Sequence, residues 1–162
     1  MKNIIVTLTI LLFATGAMAA GSSSVSPAVS KDIKYYNKGV ALMLDRDFSD
    51  AEKQFRKALD VNEDFAEAHN NLAYTLRKQG EEHFDEALKH YNRAIELNPR
   101  LAEPYMYRGV LYVQMGDKSA ALADHQKLVD MKSELAPELE YVVVNGSEKE
   151  PEQFFGVSRE KD

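Results

Sequence analysis

Three features of the sequence predict an all-α fold built from stacked helical pairs. The first is the stretch from Leu72 to Pro99. Leu72, Ala73 and Leu76 fall at helical spacing, and after a break Ala87, Leu88, Tyr91, Ala94 and Ile95 recur at the i, i+4, i+7 and i+8 positions of one buried face. Gly80 stands where the first helix must stop, and Pro99 stands just past the end of the second. The second feature is that this unit recurs on both sides. The third is one further apolar helix after the last copy. Two helices of this length cannot bury their apolar faces alone, so the unit requires neighbours like itself.

The order small residue, turn, aromatic, alanine, aromatic, alanine locates those neighbours. Upstream it reads Gly39, Arg46-Asp47, Phe48, Ala51, Phe55, Ala58; in the centre Ala73, Gly80, Phe84, Ala87, Tyr91, Ala94; downstream Gly109, Gly116-Asp117, Lys118, Ala121, His125, Leu128. This pattern resembles the tetratricopeptide repeat (TPR), a helix–turn–helix unit with a period of about 34 residues. The resemblance implies an all-α right-handed superhelix of three such repeats, at 32–65, 66–101 and 102–135, closed by a C-terminal capping helix at 136–146. The central unit carries two extra residues, Glu81 and Glu82, in its turn, where an insertion leaves helix packing intact. The third departs from the pattern at Lys118, His125 and Leu128, as a terminal repeat that faces a cap is free to do. Gly39, Ala73 and Gly109 let the paired helices approach closely, so larger side chains there should overpack the contact.

The chain has 162 residues, a formal net charge of −6 and no cysteine or tryptophan. Its first 19 residues differ from the rest. Lys2 supplies a short positive start, Ile4 to Ala14 is an apolar run broken only by threonines, and Ala17-Met18-Ala19 matches the small-x-small cleavage pattern of a secretory signal peptide. The run is shorter than the roughly 20 residues a spanning helix needs. Cleavage after Ala19 and export, to the periplasm of a bacterium, are therefore expected, with no stable membrane insertion afterwards. An acidic balance argues against nucleic acid as a partner.

Residues 20–31, with four serines within the stretch from Gly21 to Ser26 and a proline at Pro27, read as a flexible linker. The first repeat's helices are expected near Ile33–Leu44 and Ser49–Val61, with Ser49 or Asp47 capping the second. After the third repeat, Pro137 suits a first helical turn, Leu135, Leu139, Val142 and Val143 form an apolar stripe, and Asn145-Gly146 ends the helix. The tail, 147–162, is charged except around Phe154-Phe155, which either packs back on the array or docks on a partner or another copy of the chain.

No pattern in the chain points to catalysis. The histidines, His69, His83, His90 and His125, form no i, i+4 pair, and no cysteine could complete a zinc site, so neither a metal nor a cofactor is expected. Glu86 and His90 share a helix face as a surface ion pair, while His69 and His125 occupy positions where the repeat packs large residues. No nucleophile elbow or glycine-rich phosphate loop is present, and the carboxylates fall on solvated helix faces.

The resemblance implies a concave groove lined by the first helix of each repeat. Its family positions bring Ile33, Tyr36, Asn37, Val40, Met43 and Leu44 inward from the first repeat, Glu67, Asn70, Asn71, Tyr74, Arg77 and Lys78 from the second, and Glu103, Met106, Tyr107, Val110, Val113 and Gln114 from the third. The expected partner-binding residues are Tyr36, Asn37, Val40, Asn70, Asn71, Tyr74, Arg77, Met106, Tyr107 and Val110. Asparagine amides both donate to and accept from a peptide backbone, and tyrosine and methionine add adaptable apolar contact. Relatives that grip the acidic tails of cytosolic heat-shock chaperones use lysine, asparagine, asparagine, lysine and arginine at positions filled here by Tyr36, Val40, Asn71, Glu103 and Tyr107; only Asn71 agrees with that clamp, and Glu103 has the wrong sign. The expected function is a protein–protein interaction module, an adaptor or assembly factor holding a peptide or helix. The alternative is a self-assembling scaffold that uses repeat ends or the Phe154-Phe155 tail.

Overall fold

The computed structural model describes residues 29–148 of the chain. These form seven α-helices: α1 Lys31–Leu44, α2 Phe48–Val61, α3 Ala66–Gln79, α4 Phe84–Leu97, α5 Glu103–Gln114, α6 Lys118–Asp130 and α7 Ala136–Asn145. A single 3-10 turn, Glu81–His83, precedes α4, and among the described residues there is no strand. The segment expected to be a signal peptide, most of the expected linker and the Phe154-Phe155 segment lie outside the described residues.

Local chemistry explains the breaks. Asp47 and Asp117 sit at equivalent N-caps, accepting from the amides of Asp50 at 3.2 Å and Ala120 at 3.0 Å. Asp47 rather than Ser49 therefore caps α2, and each carboxylate satisfies an amide that has no partner within its helix. In the central unit Gly80 adopts φ +145°, and the inserted glutamates wind into the 3-10 turn, closed by the His83 amide donating to the Gly80 carbonyl at 3.1 Å. Gly80 ends α3 and Pro99 follows α4, as their positions in the sequence require.

Each helix packs against the next, α1 on α2 through to α5 on α6, and α7 closes on both α5 and α6. The leading helices α1, α3 and α5 also approach one another, whereas α2, α4 and α6 show no comparably close pairing. The array therefore bends with its leading helices on the inner side. The central core runs through Ala51, Phe55, Leu72, Ala73, Leu76, Ala87, Tyr91 and Leu111, all 0% exposed. Alanines at the helix–helix seams let these bulky groups interlock at close range.

Candidate binding groove

The inner face is built from the polar and aromatic side chains of α1, α3 and α5. Tyr36 packs its ring on Phe65 at 4.8 Å and Phe55 at 5.9 Å. Its hydroxyl accepts from Asn71 Nδ2 at 3.1 Å, and Asn71 Oδ1 accepts in turn from Asn70 Nδ2 at 3.1 Å. Asn70 is buried, and its Oδ1 has no hydrogen-bond partner. Such an acceptor is expensive to leave unpaired, and being enclosed it lies beneath the groove surface, where it backs the partly exposed amide of Asn71 and does not itself meet a bound chain. Asn37 is exposed at this edge, and Val40 is half-buried against the core.

Farther along, Tyr74 meets Tyr107 edge to face at 5.1 Å and Phe48 at 6.3 Å, and the Arg77 guanidinium lies 5.4 Å over the Tyr74 ring. Burial raises the Tyr36 and Tyr74 hydroxyls above the ordinary phenol range, so both remain protonated donors. Arg77 is fully enclosed, its side chain 0% exposed, and forks onto Glu148 with both contacts at 2.9 Å. Gln114 Oε1 accepts from the same guanidinium at 3.2 Å, and Lys78 stands 3.9 Å from Glu148. Burial pushes the Glu148 carboxyl up, but the Arg77 hydrogen bonds and the charges of Arg77 and Lys78 outweigh it and hold the group below its usual range.

Two expected groove residues are corrected by this arrangement. Met106 is 0% and Val110 1% exposed, so neither can touch a partner. The reason is the cap: α7 lies across α5 and turns this part of the helix into core. Arg77 is reached by a protein carboxylate instead of standing open, and Tyr107 packs against the core as well as against Tyr74. Glu148 was not anticipated. It lies two residues beyond the Gly146 that ends α7, within the charged segment read as a tail, and no helical period carries information about such a position.

A second polar cluster, also unanticipated, joins α3 to α4. His69 Nδ1 and His90 Nδ1 are 2.9 Å apart, and His69 Nε2 is 2.9 Å from the Glu63 carbonyl. A carbonyl only accepts, so His69 carries its proton on Nε2 and His90 Nδ1–H donates to His69 Nδ1. The ring centroids are 5.1 Å apart, which is the contact distance plus the two ring radii, so the rings lie end to end along the bond. That linear geometry fits a hydrogen bond between neutral rings rather than two lone pairs converging on a metal. Among the described residues no group of three or more potential ligands gathers at one point. The pair lines a cleft of about 220 Å³ with Arg56, Leu59, Asp60, Glu63 and Leu72. Glu86 lies 3.8 Å from His90, but His90 is the neutral partner of His69, so the expected ion pair is not formed there; Glu86 pairs instead with Arg56, at 2.8 Å.

Comparison with known proteins agrees with this geometry. Family models described as the tetratricopeptide repeat and the TPR repeat match residues 36–82 and 82–116. Together they run unbroken across half of the chain, and the chain belongs to the tetratricopeptide-repeat proteins. Among curated relatives, the human "Tetratricopeptide repeat protein 6" is 36% identical over 74 residues, 46% of this chain and 14% of that protein. The photosystem I assembly protein Ycf3 of Prochlorococcus marinus (strain NATL1A) is 30% identical over 105 residues, 61% of this chain and 60% of its own length. The chain thus spans less than two-thirds of either relative. Among solved structures, the first TPR of Spaghetti (RPAP3), bound to the HSP90 peptide SRMEEVD, superimposes with a TM-score of 0.64 at 17% identity, covering 71% of this chain and 91% of that one.

Proposed function

We propose that the chain is an exported, periplasmic interaction module that holds an extended peptide or a helix against its inner face, as an adaptor or assembly factor. The observation that carries this reading is the row of partly exposed polar and aromatic side chains along the inner face, Tyr36 and Asn71 joined by a hydrogen bond and then the Tyr74–Tyr107 pair. Amides and stacked phenols hold a peptide backbone through hydrogen bonds and flat apolar contact and do not require one particular side chain. Export is supported by the charged start, apolar run and Ala17-Met18-Ala19 of the amino terminus. The assembly role named for Ycf3 and the peptide held by the RPAP3 domain are of the same kind.

The test is crosslinked capture from the native cell envelope. Asn71→Ala and Tyr74→Ala should each weaken capture by about 1–2 kcal/mol, as central anchors do. The exposed Lys89 of α4, reversed to Lys89→Glu, should leave capture intact. The opposite pattern removes the groove reading. Intact-mass analysis of the exported protein should give a chain beginning at Ala20.

Self-assembly is the second reading. Leu122 (49% exposed) and Val129 (44%) on α6, with Val144 (70%) on α7, leave apolar side chains on the solvent side of the C-terminal helices. A sedimentation coefficient that rises with concentration would favour it.

A further inference from the structure

We propose that Glu148 is a built-in occupant of a carboxylate-binding site in the groove, and that an acidic side chain of a peptide partner binds by taking its place. The proposal rests on the groove reading above and adds to it the partner's chemistry and a gate.

The Arg77 guanidinium is wholly enclosed, yet its carboxylate partner comes from outside the repeats, from the second residue after the cap helix. Arg77 grips Glu148 in a two-pronged fork at 2.9 Å on each side, with Lys78 at 3.9 Å and the Gln114 side chain completing the pocket. Arg46, in the turn after α1, adds its positive charge near Lys78 and Tyr74. Arg77 and Lys78 thus hold one acid between them, on a protein whose formal net charge is −6. An enclosed arginine left without a carboxylate is strongly disfavoured, so the site must be filled by one carboxylate or another. The far end of the groove has the opposite sign, with Glu67 and Glu103 acting on Tyr36, which fixes the acidic contact to the Arg77 end.

Glu148 is tethered so that it can leave. α7 stops at Gly146, whose φ of +77° breaks the helix, and only Ser147 separates it from Glu148. A rotation in this short link would swing the carboxylate out without disturbing α7, whose own apolar residues hold it to α5 and α6. Tethering also gives Glu148 a high effective concentration at the site, so a free carboxylate competes poorly until Glu148 is removed or its tether is lengthened.

Fluorescence anisotropy of labelled, amide-capped hexaglutamate tests this on the purified protein, with hexaglutamine as the uncharged control. Glu148→Gln should bind hexaglutamate at least tenfold more tightly than the wild type, and hexaglutamine should bind neither. Because Glu148→Gln leaves Arg77 enclosed without an anion, its thermal midpoint should drop and should recover when hexaglutamate is added. A second variant, with two glycines inserted after Gly146, keeps every charge and should open the site by loosening the tether even if Glu148→Gln fails to fold. Equal hexaglutamate affinity in the wild type and both variants, or none in any of them, overturns the proposal. No hexaglutamate binding together with capture that remains sensitive to Tyr74→Ala removes the gate and leaves the groove. Binding restricted to the two variants, with capture insensitive to Tyr74→Ala, keeps the carboxylate site and removes the groove.

Discussion

In the first repeat, a Cβ placed on Gly39 would lie 2.7–3.0 Å from ring atoms of Phe55, on the same repeat's second helix. In the third repeat, a Cβ on the equivalent Gly109 would run into Leu139, which belongs to α7. The repeat's own residue at the Phe55 position is His125, which is only partly buried. The space that one repeat fills from within is thus filled in the other by the cap. Phe55 and Leu139 are both 0% exposed, so the two solutions exclude water equally well. An array can relax its pattern in the last repeat because the next element along the chain supplies the missing bulk. The cap is therefore part of the third repeat's core as well as its cover.

The comparison breaks first at these two side chains. Phe55→Ala should lower unfolding free energy by about 3–5 kcal/mol and Leu139→Ala by about 2–5 kcal/mol. Adding Gly109→Ala separates a shared space from a coincidence of burial. In the wild type the added methyl collides with Leu139, whereas in Leu139→Ala it enters a void, so the two changes should couple by about 0.5–3 kcal/mol in a double-mutant cycle. Urea unfolding of the four proteins measures this. Additive effects would mean that Gly109 and Leu139 do not share one space.

Much of this architecture was legible in the sequence because it depends on local rules. Small residues at Gly39, Ala73 and Gly109, stops at Gly80 and Pro99 and the stripe Leu139, Val142, Val143 each have a short-range physical meaning. The groove was legible only in part. Helical period brings Met106 and Val110 to the face of α5 that family positions turn inward, but it cannot reveal that α7 will lie over them. Glu148 and the His69–His90 bond were invisible for a related reason. The first is separated from Arg77 by 71 residues and the second spans 21, and neither separation is a multiple imposed by a helix.

The middle repeat differs from both ends in having the histidine joint, and pH sharpens that difference. Burial, reinforced by the neighbouring His69, lowers His90 to about 4 from its ordinary 6.5, with Glu86 opposing; burial lowers His69 as well. The folded protein thus binds fewer protons than the unfolded chain between these values. Stability should be level above pH 6.5 and fall by about 2–3 kcal/mol as pH drops towards 4. Chemical-denaturation midpoints across this range check it. His90→Gln, which keeps a polar group and cannot titrate, should shrink the 6.5-to-4 fall to the part due to His69 and leave the further loss at lower pH, as Glu148 protonates below the usual carboxylate range. A slope unchanged by His90→Gln would place the sensitivity elsewhere.

The smallest effect is at the turns, where the first and third repeats are alike in hydrogen bonding and different in residue. After α1 the amides of Asp45, Arg46 and Asp47 donate to the carbonyls of Ala41, Met43 and Leu42; after α5 those of Met115, Gly116 and Asp117 donate to Leu111, Val113 and Tyr112 at the same spacings. The residue in the left-handed conformation is Arg46 at φ +64° in one and Gly116 at φ +81° in the other. A side chain there brings Cβ close to the following carbonyl, a strain of about 1–2 kcal/mol that glycine avoids, while glycine's freer unfolded chain gives back part of the gain. Arg46→Gly should therefore raise stability by about 0.5–1 kcal/mol and Gly116→Arg should lower it by a similar amount. No other atom lies within 4 Å of a Cβ at Gly116, so that loss would be conformational rather than a clash. Thermal midpoints that move in opposite directions for the two exchanges support this account. A drop for Arg46→Gly would show that the packing of the Arg46 side chain contributes more to the fold than its backbone strain removes.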